Sequence, residues 1–125
     1  MIIGVGIDVC SIERMRKALA RHGDRFFGRI CSDDERADLL GRDAAVSLAG
    51  RFAAKEAFAK ALDGAPGVGW HEAEVRRGPS GRPRLELHGR ARSLAAEHGA
   101  SRWHVSITHD AGVAAAVVVL EGEGE

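Results

Sequence analysis

Arg51-Phe-Ala-Ala-Lys-Glu-Ala-Phe-Ala-Lys60 sets one carboxylate, Glu56, among three cations in a stretch without Gly or Pro. The segment is strongly helix-forming. Arg51 and Lys55 stand four apart, so two like charges share a helix face. That arrangement costs a helix a few tenths of a kcal/mol, roughly, unless an anion lies against it. Glu56 and Lys60 share a neighbouring face beside Phe52 and Ala59. An acid ringed by cations suits a metal-bound phosphate: an oxygen ligand for the ion, and positive charge for the phosphate oxygens. The same segment also reads as an amphipathic helix whose Glu56–Lys60 ion pair on the surface contributes under ~1 kcal/mol.

Asp8 is a second candidate. It ends an apolar strand on a face otherwise made of Gly4 and Gly6, which leaves room for a ligand, although it could equally cap the following helix. Gly4-x-Gly6 is not a dinucleotide fingerprint, because Val9 stands where the third glycine belongs and no βαβ unit follows. The histidines form no HxH, and His71-Glu72-Ala-Glu-Val75 lacks the second histidine of a zinc-protease helix. Asp8 and Glu56 instead suggest an oxygen-only site for a hard ion such as Mg²⁺. His109, next to Asp110, is the histidine best placed for function, with a plain turn histidine as the alternative. No GxSxG, no cysteine beside a histidine and no phosphate-binding GxxxxGK[ST] loop occurs.

The elements that must position these groups are legible as periodicities. Ile2–Val9 alternates as a strand, with Ile3, Val5 and Ile7 opposite Gly4, Gly6 and Asp8. Ser11 precedes a helix with Ile12, Met15 and Leu19 at helical spacing, ended by His22-Gly23. A short helix or turn follows at Phe26-Phe27, and Ser32 with Glu35 predicts a capping box opening a helix to about Leu40. The central helix is expected from about Ala44 to Leu62, closed by Asp63-Gly64. Strands are predicted at Glu72–Arg77 and Pro83–His88 around Gly78-Pro-Ser-Gly81, and a helix at Gly89–His98 with Gly99 beyond it. Trp103–Thr108 alternates, His109–Gly112 is a hairpin turn, and Val113–Leu120 has the apolar density of a buried strand. The pattern is α+β: a mostly antiparallel sheet with a long central helix and smaller helices packed on it.

At 125 residues, 45% apolar and 29% charged, the chain is expected to form one domain over residues 1–120. An acidic flexible tail follows over 121–125. Zero net charge points to neither nucleic acid nor a membrane. No apolar run reaches the roughly 20 residues of a membrane span, and the first residues lack a signal-peptide pattern. Two distant cysteines argue against a disulfide framework and for a cytoplasmic location. Six cations against Glu13 and Asp24 between Ser11 and Arg29 make a local basic face, suited to an acidic partner.

Three motifs in order, Gly6-Ile-Asp8 with Ile12-Glu-Arg14, then Arg51–Lys60, then Val105-Ser-Ile-Thr-His109, resemble the signatures of holo-acyl-carrier-protein synthase. This is the small bacterial 4′-phosphopantetheinyl transferase. The resemblance runs from Met1 to about Leu120, and Arg25-Phe26 and Gly81-Arg-Pro83 also look like family features. It implies transfer of phosphopantetheine from coenzyme A to a serine of apo acyl carrier protein, with adenosine 3′,5′-bisphosphate leaving. Asp8 and Glu56 would hold Mg²⁺ against the pyrophosphate. Arg51, Lys60 and His109 would meet the phosphates, with Gly64 and Thr108 also lining the coenzyme A site and Gly81–Pro83 near the adenine. On this resemblance, Glu56, Lys60 and His109 would form the catalytic set. The serine proton would pass to Glu56, to His109 or to a water on the metal. Arg14, Arg21, Arg25 and Arg29 would dock the carrier protein's acidic helix. Family members are trimers with sites between subunits, so a homotrimer is implied. Two other readings share these residues. A pyrophosphate hydrolase would not need the basic face, and a non-catalytic binding module would not need both Asp8 and Glu56.

Overall fold

In a computed structural model, residues 1–124 are described. The chain runs β1 (Ile2–Ser11), α1 (Ile12–His22), α2 (Asp24–Ile30), α3 (Asp33–Asp38) and α4 (Ala44–Ala61). It continues through a 3-10 turn at Trp70–Glu72 to β2 (Ala73–Arg77), β3 (Pro83–Leu87), α5 (Gly89–Glu97), β4 (Arg102–Asp110) and β5 (Val113–Glu121). Both sheets are antiparallel: a three-stranded one in the order β1-β5-β4, and the β2–β3 hairpin. This is the α+β arrangement that the periodicities predict.

β5 is central and almost entirely Ala and Val. Its Ala114, Ala116, Val118 and Leu120 point inward onto α4, whose Leu48, Ala49, Ala53, Ala57 and Phe58 are also buried. Small residues on both elements let helix and sheet approach closely. The hairpin joins through Trp103, whose Nε1 donates to the Leu85 carbonyl at 2.9 Å. The other face of the large sheet is also apolar. Val5, Ile7 and Val9 on β1 are 59%, 63% and 58% exposed, beside half-buried Val117 and Val119.

Helix starts follow local chemistry. Ser11 accepts from the Arg14 amide, and Asp43 from that of Val46 at 3.0 Å. Ser32 and Glu35 form the expected reciprocal box, with Ser32 N–H donating to Glu35 Oε1 at 3.0 Å. β4 runs further than expected, to Asp110. The turn is only Ala111-Gly112, both with positive φ (52° and 81°), a two-residue hairpin loop of the type that matches strand twist. His109 therefore lies in a strand, opposite Ala114, rather than in the turn. The tail starts later than residue 121: Glu121 ends β5, and Met1 and Gly122 exchange backbone hydrogen bonds at 2.7 and 2.8 Å. Glu125 lies outside the described residues. Among the described residues no helix is long and apolar enough to cross a membrane.

Candidate active site

α4 distributes the charges of its motif to three different places. Arg51 turns toward β4. It is 6% exposed, and its Nε and Nη2 are buried with no hydrogen-bond partner among the described residues. Burial lowers its guanidinium from the ordinary value, and the neighbouring Arg77 adds to that. A buried donor left unpaired costs about 1–3 kcal/mol, more when charged, so the geometry calls for an anion. The guanidinium lines a cleft of about 540 Å³ together with Arg42, Arg77, His109, Asp43 and Pro83. Three arginines and a histidine converge there.

Lys55 does something else. It is buried, and its Nζ donates to Glu35 Oε1 and to the carbonyls of Ile30 and Trp70, each at 2.7 Å. Glu35, fully buried, accepts the Val75 amide at 2.9 Å with its other oxygen. The anion that relieves the Arg51–Lys55 repulsion is thus protein at Lys55, and Lys55 ties α4 to its neighbours rather than facing a ligand.

Lys60 turns toward β1. Its Nζ donates to Asp8 Oδ1 at 2.8 Å and to the Ile7 carbonyl at 3.1 Å. It does not pair with Glu56, and Ser11 rather than Asp8 caps α1. Asp8 is held there because Gly4 and Gly6 let β1 lie directly on α4. Glu56, half-buried, stands one turn before Lys60 and opens into a hollow of about 150 Å³ edged by Ala65, Val68 and Trp70. Asp8 on β1 and Glu56 on α4 each offer only carboxylate oxygens. Oxygen donors of this kind suit a hard divalent ion such as Mg²⁺ or Mn²⁺ rather than Zn²⁺ or Cu²⁺. Elsewhere, on the β2–β3 hairpin, Glu74, Glu86 and His88 bring ligand atoms within 4.8 Å of one another. Glu74 there is engaged by Ser32 Oγ and His88, and Glu86 by Arg84.

Arg51 and Lys60 are nine residues apart, about two and a half helical turns, and so project from opposite sides of α4. Within one chain, Arg51 and His109 share the cleft on one side of α4, while Lys60 and Asp8 meet on the other. Thr108 and Gly64 also lie outside the Arg51 cleft. Thr108 pairs with Ala115 and points to the outer sheet face, and Gly64 (φ 111°) closes the far end of α4. Gly81 (φ 80°) shapes the turn that carries Pro83 to the cleft, and its carbonyl accepts from Arg77 Nε at 3.3 Å. Asp110 accepts the Ala111 amide at 2.9 Å, so it builds the turn.

Arg42 and Arg77 were not evident from sequence. Arg77 carried one signal, an arginine ending a strand just before a Gly-Pro-Ser-Gly turn. Arg42 carried none. Cys10 and Cys31 are free and buried, and burial with the nearby Glu35 charge pushes the Cys31 thiol up to about 12, which leaves it unreactive.

The basic face is assembled on α1 and α2. Arg21, Arg25 and Arg29 surround His22 and Phe26 in a hollow of about 440 Å³. Arg14 lies seven residues before Arg21, on the same stripe of α1. None of these four arginines makes an ion pair among the described residues, whereas Arg16 and Lys17 are paired with Asp43 and Glu13.

A family model for the 4′-phosphopantetheinyl transferase superfamily matches residues 4–118. The holo-[acyl-carrier-protein] synthase of Streptomyces avermitilis is 53% identical over 127 residues, covering 97% of this chain and 98% of the other. That of Salinispora arenicola is 48% identical over 125 residues, covering 97% and 99%. The crystal structure of holo-[acyl-carrier-protein] synthase from Neisseria meningitidis superposes with a TM-score of 0.88 at 32% identity, covering 97% and 99%. The Helicobacter pylori enzyme in complex with coenzyme A gives 0.81 at 34% identity, covering 94% and 99%.

Proposed function

Because the chain belongs to the 4′-phosphopantetheinyl transferase superfamily, we propose that it transfers the 4′-phosphopantetheine group of coenzyme A to a serine hydroxyl of an apo acyl carrier protein, releasing adenosine 3′,5′-bisphosphate. The observation that carries this reading is the buried, unpartnered guanidinium of Arg51 in a cleft shared with Arg42, Arg77 and His109. Such a site receives a multiply charged phosphate group. The curated relatives named above share the reaction name, and a structural neighbour is described with coenzyme A. The reading takes the chain through the end of β5 at Glu121 as the transferase domain. It also assigns a cytoplasmic setting, with fatty acid synthesis as the process served.

Asp8 and Glu56 are the residues that would hold Mg²⁺, which supplies charge neutralisation at the pyrophosphate. The remaining work falls to the chain's own groups. Lys60 and Arg51 bind phosphate oxygens and stabilise the charge that builds as the bond to the leaving bisphosphate lengthens. Glu56 and His109 are the two side chains available to accept the serine proton. The four unpaired arginines on α1 and α2 attract the acidic carrier protein and orient its serine toward the β1–α4 junction.

The opposite orientation of Arg51 and Lys60 supports a homotrimer in which one subunit contributes Arg51 and His109 and its neighbour Asp8, Glu56 and Lys60. The exposed Val5, Ile7 and Val9 face suits burial in such an assembly.

Intact-mass measurement of apo acyl carrier protein incubated with this protein, coenzyme A and Mg²⁺ tests the proposal. A gain of one phosphopantetheine, abolished by chelator, is expected. Coenzyme A consumed with no mass gain would replace the transferase with a pyrophosphate hydrolase. Binding of coenzyme A without turnover across a panel of carrier proteins would leave a binding module.

A further inference from the structure

We infer that Lys60 is a stand-in cation for the metal: its ammonium holds the Asp8 carboxylate until the ion arrives, and is then released toward the substrate phosphate. This deepens the metal-and-phosphate reading of Asp8 and Glu56 and rests on it. Asp8 is 17% exposed with Lys60 lying across it, so its carboxylate is partly withdrawn from water and favours a counter-charge. Lys60 supplies it, at 2.8 Å from Oδ1, and the Ile7 carbonyl at 3.1 Å steadies the ammonium. The lysine itself is 56% exposed. It hangs on a flexible four-carbon stem and can leave without repacking the core.

A dication on the Asp8 carboxylate repels the ammonium already held there, and the two cations compete for its oxygens. Ion binding at Asp8 therefore displaces Lys60. A phosphate that accepts the displaced ammonium removes the competitor from Asp8. By reciprocity, the metal must favour phosphate binding by the same factor as the phosphate favours the metal. The consequence is a site that takes metal and pyrophosphate together and holds the free ion weakly, with no moving loop required.

The chain has only three lysines, Lys17, Lys55 and Lys60, and Lys55 is buried. Reductive methylation with carbon-13 formaldehyde keeps the positive charge and gives each reactive amine its own NMR signal. On titration of the full-length protein with Mg²⁺, the Lys60 signal should move and saturate while that of Lys17 stays. In D8N the Lys60 signal should begin at a different position and not respond. Binding of Mn²⁺, followed by the EPR signal of the free ion, should be roughly two- to fivefold tighter in K60M than in the unmodified wild type, as expected for removing an exposed ion pair. It should be unchanged in K60R, and lost in D8N. A Lys60 signal that ignores Mg²⁺, with Mn²⁺ binding still dependent on Asp8, would overturn the displacement and leave the metal assignment standing. Mn²⁺ binding that persists in D8N would remove the metal assignment, and the displacement with it.

Discussion

Gly6 rests on the backbone of Ala57 with no room for a side chain. A Cβ at position 6 would lie 1.8 Å from the Ala57 carbonyl oxygen and 2.8 Å from the Ala61 amide nitrogen. Gly4 meets the Ala61 carbonyl in the same way, at 2.0 Å. These contacts set the depth at which β1 beds on α4, and with it the approach of Asp8 to Lys60.

Gly6→Ala should therefore force strand and helix apart. The atoms in the way are backbone and cannot rotate aside, so the cost falls at or above the upper end of the about 1–3 kcal/mol typical of overpacking. Urea unfolding measures it. An unchanged midpoint would show that β1 and α4 separate freely.

Arg51→Met should separate stability from ligand binding. The guanidinium makes no compensating bonds through Nε and Nη2, so a methionine should leave the melting temperature unchanged or raise it. Affinity for coenzyme A by calorimetry should fall by about ten- to a hundredfold, the equivalent of losing one or two charged hydrogen bonds. A melting temperature several degrees lower would mean that the arginine is structural.

Lys55 and Glu35 predict the reverse. Lys55→Met leaves Glu35 buried and unpaired, and breaking such a pair costs about 3–5 kcal/mol. Replacing both, as Glu35→Leu with Lys55→Met, should cost less than the sum of the single changes, because neither partner is then left charged alone. A denaturation double-mutant cycle that proves additive would contradict the pairing.

Asp38 carries a pH dependence. Hydrogen bonds from Arg76 Nε at 2.8 Å and the Arg77 amide at 3.1 Å outweigh its burial and hold its carboxyl below the ordinary value. A carboxylate lowered on folding stabilises fully above its unfolded value, about pH 4. That contribution is lost as the pH falls through the lower folded value. Asp38→Asn should be less stable than wild type at neutral pH, and the difference should shrink below about pH 4. Thermal melts across that range test it, and a constant difference would rule it out.

Arg14→Glu should raise the KM for the carrier protein about tenfold or more, with the KM for coenzyme A within about twofold, because a charge on the rim of a docking surface acts mainly on encounter. The effect should weaken as salt screens the approach. Equal changes in both constants would place docking elsewhere.

What the sequence carried was local. The Ser32–Glu35 box, the Ile12-Met15-Leu19 face and the glycines beside Asp8 depend on neighbours within a turn or two, where spacing and side-chain type suffice. The motif from Arg51 to Lys60, and the outlying Asp8 and His109, stood out as candidates for the same reason. Sequence could not rank the three cations of the motif. Lys55 is structural because Glu35, on another helix, is buried against it. Arg51 has no such acid on its Nε and Nη2 among the described residues, and Lys60 is occupied because β1 delivers Asp8. Arg42, in the turn before α4, and Arg77, at the end of β2, join the cleft only when the chain folds. The difference is physical: capping and periodicity are set by covalent neighbours, whereas the environment of a charge is set by whatever the folded chain packs against it.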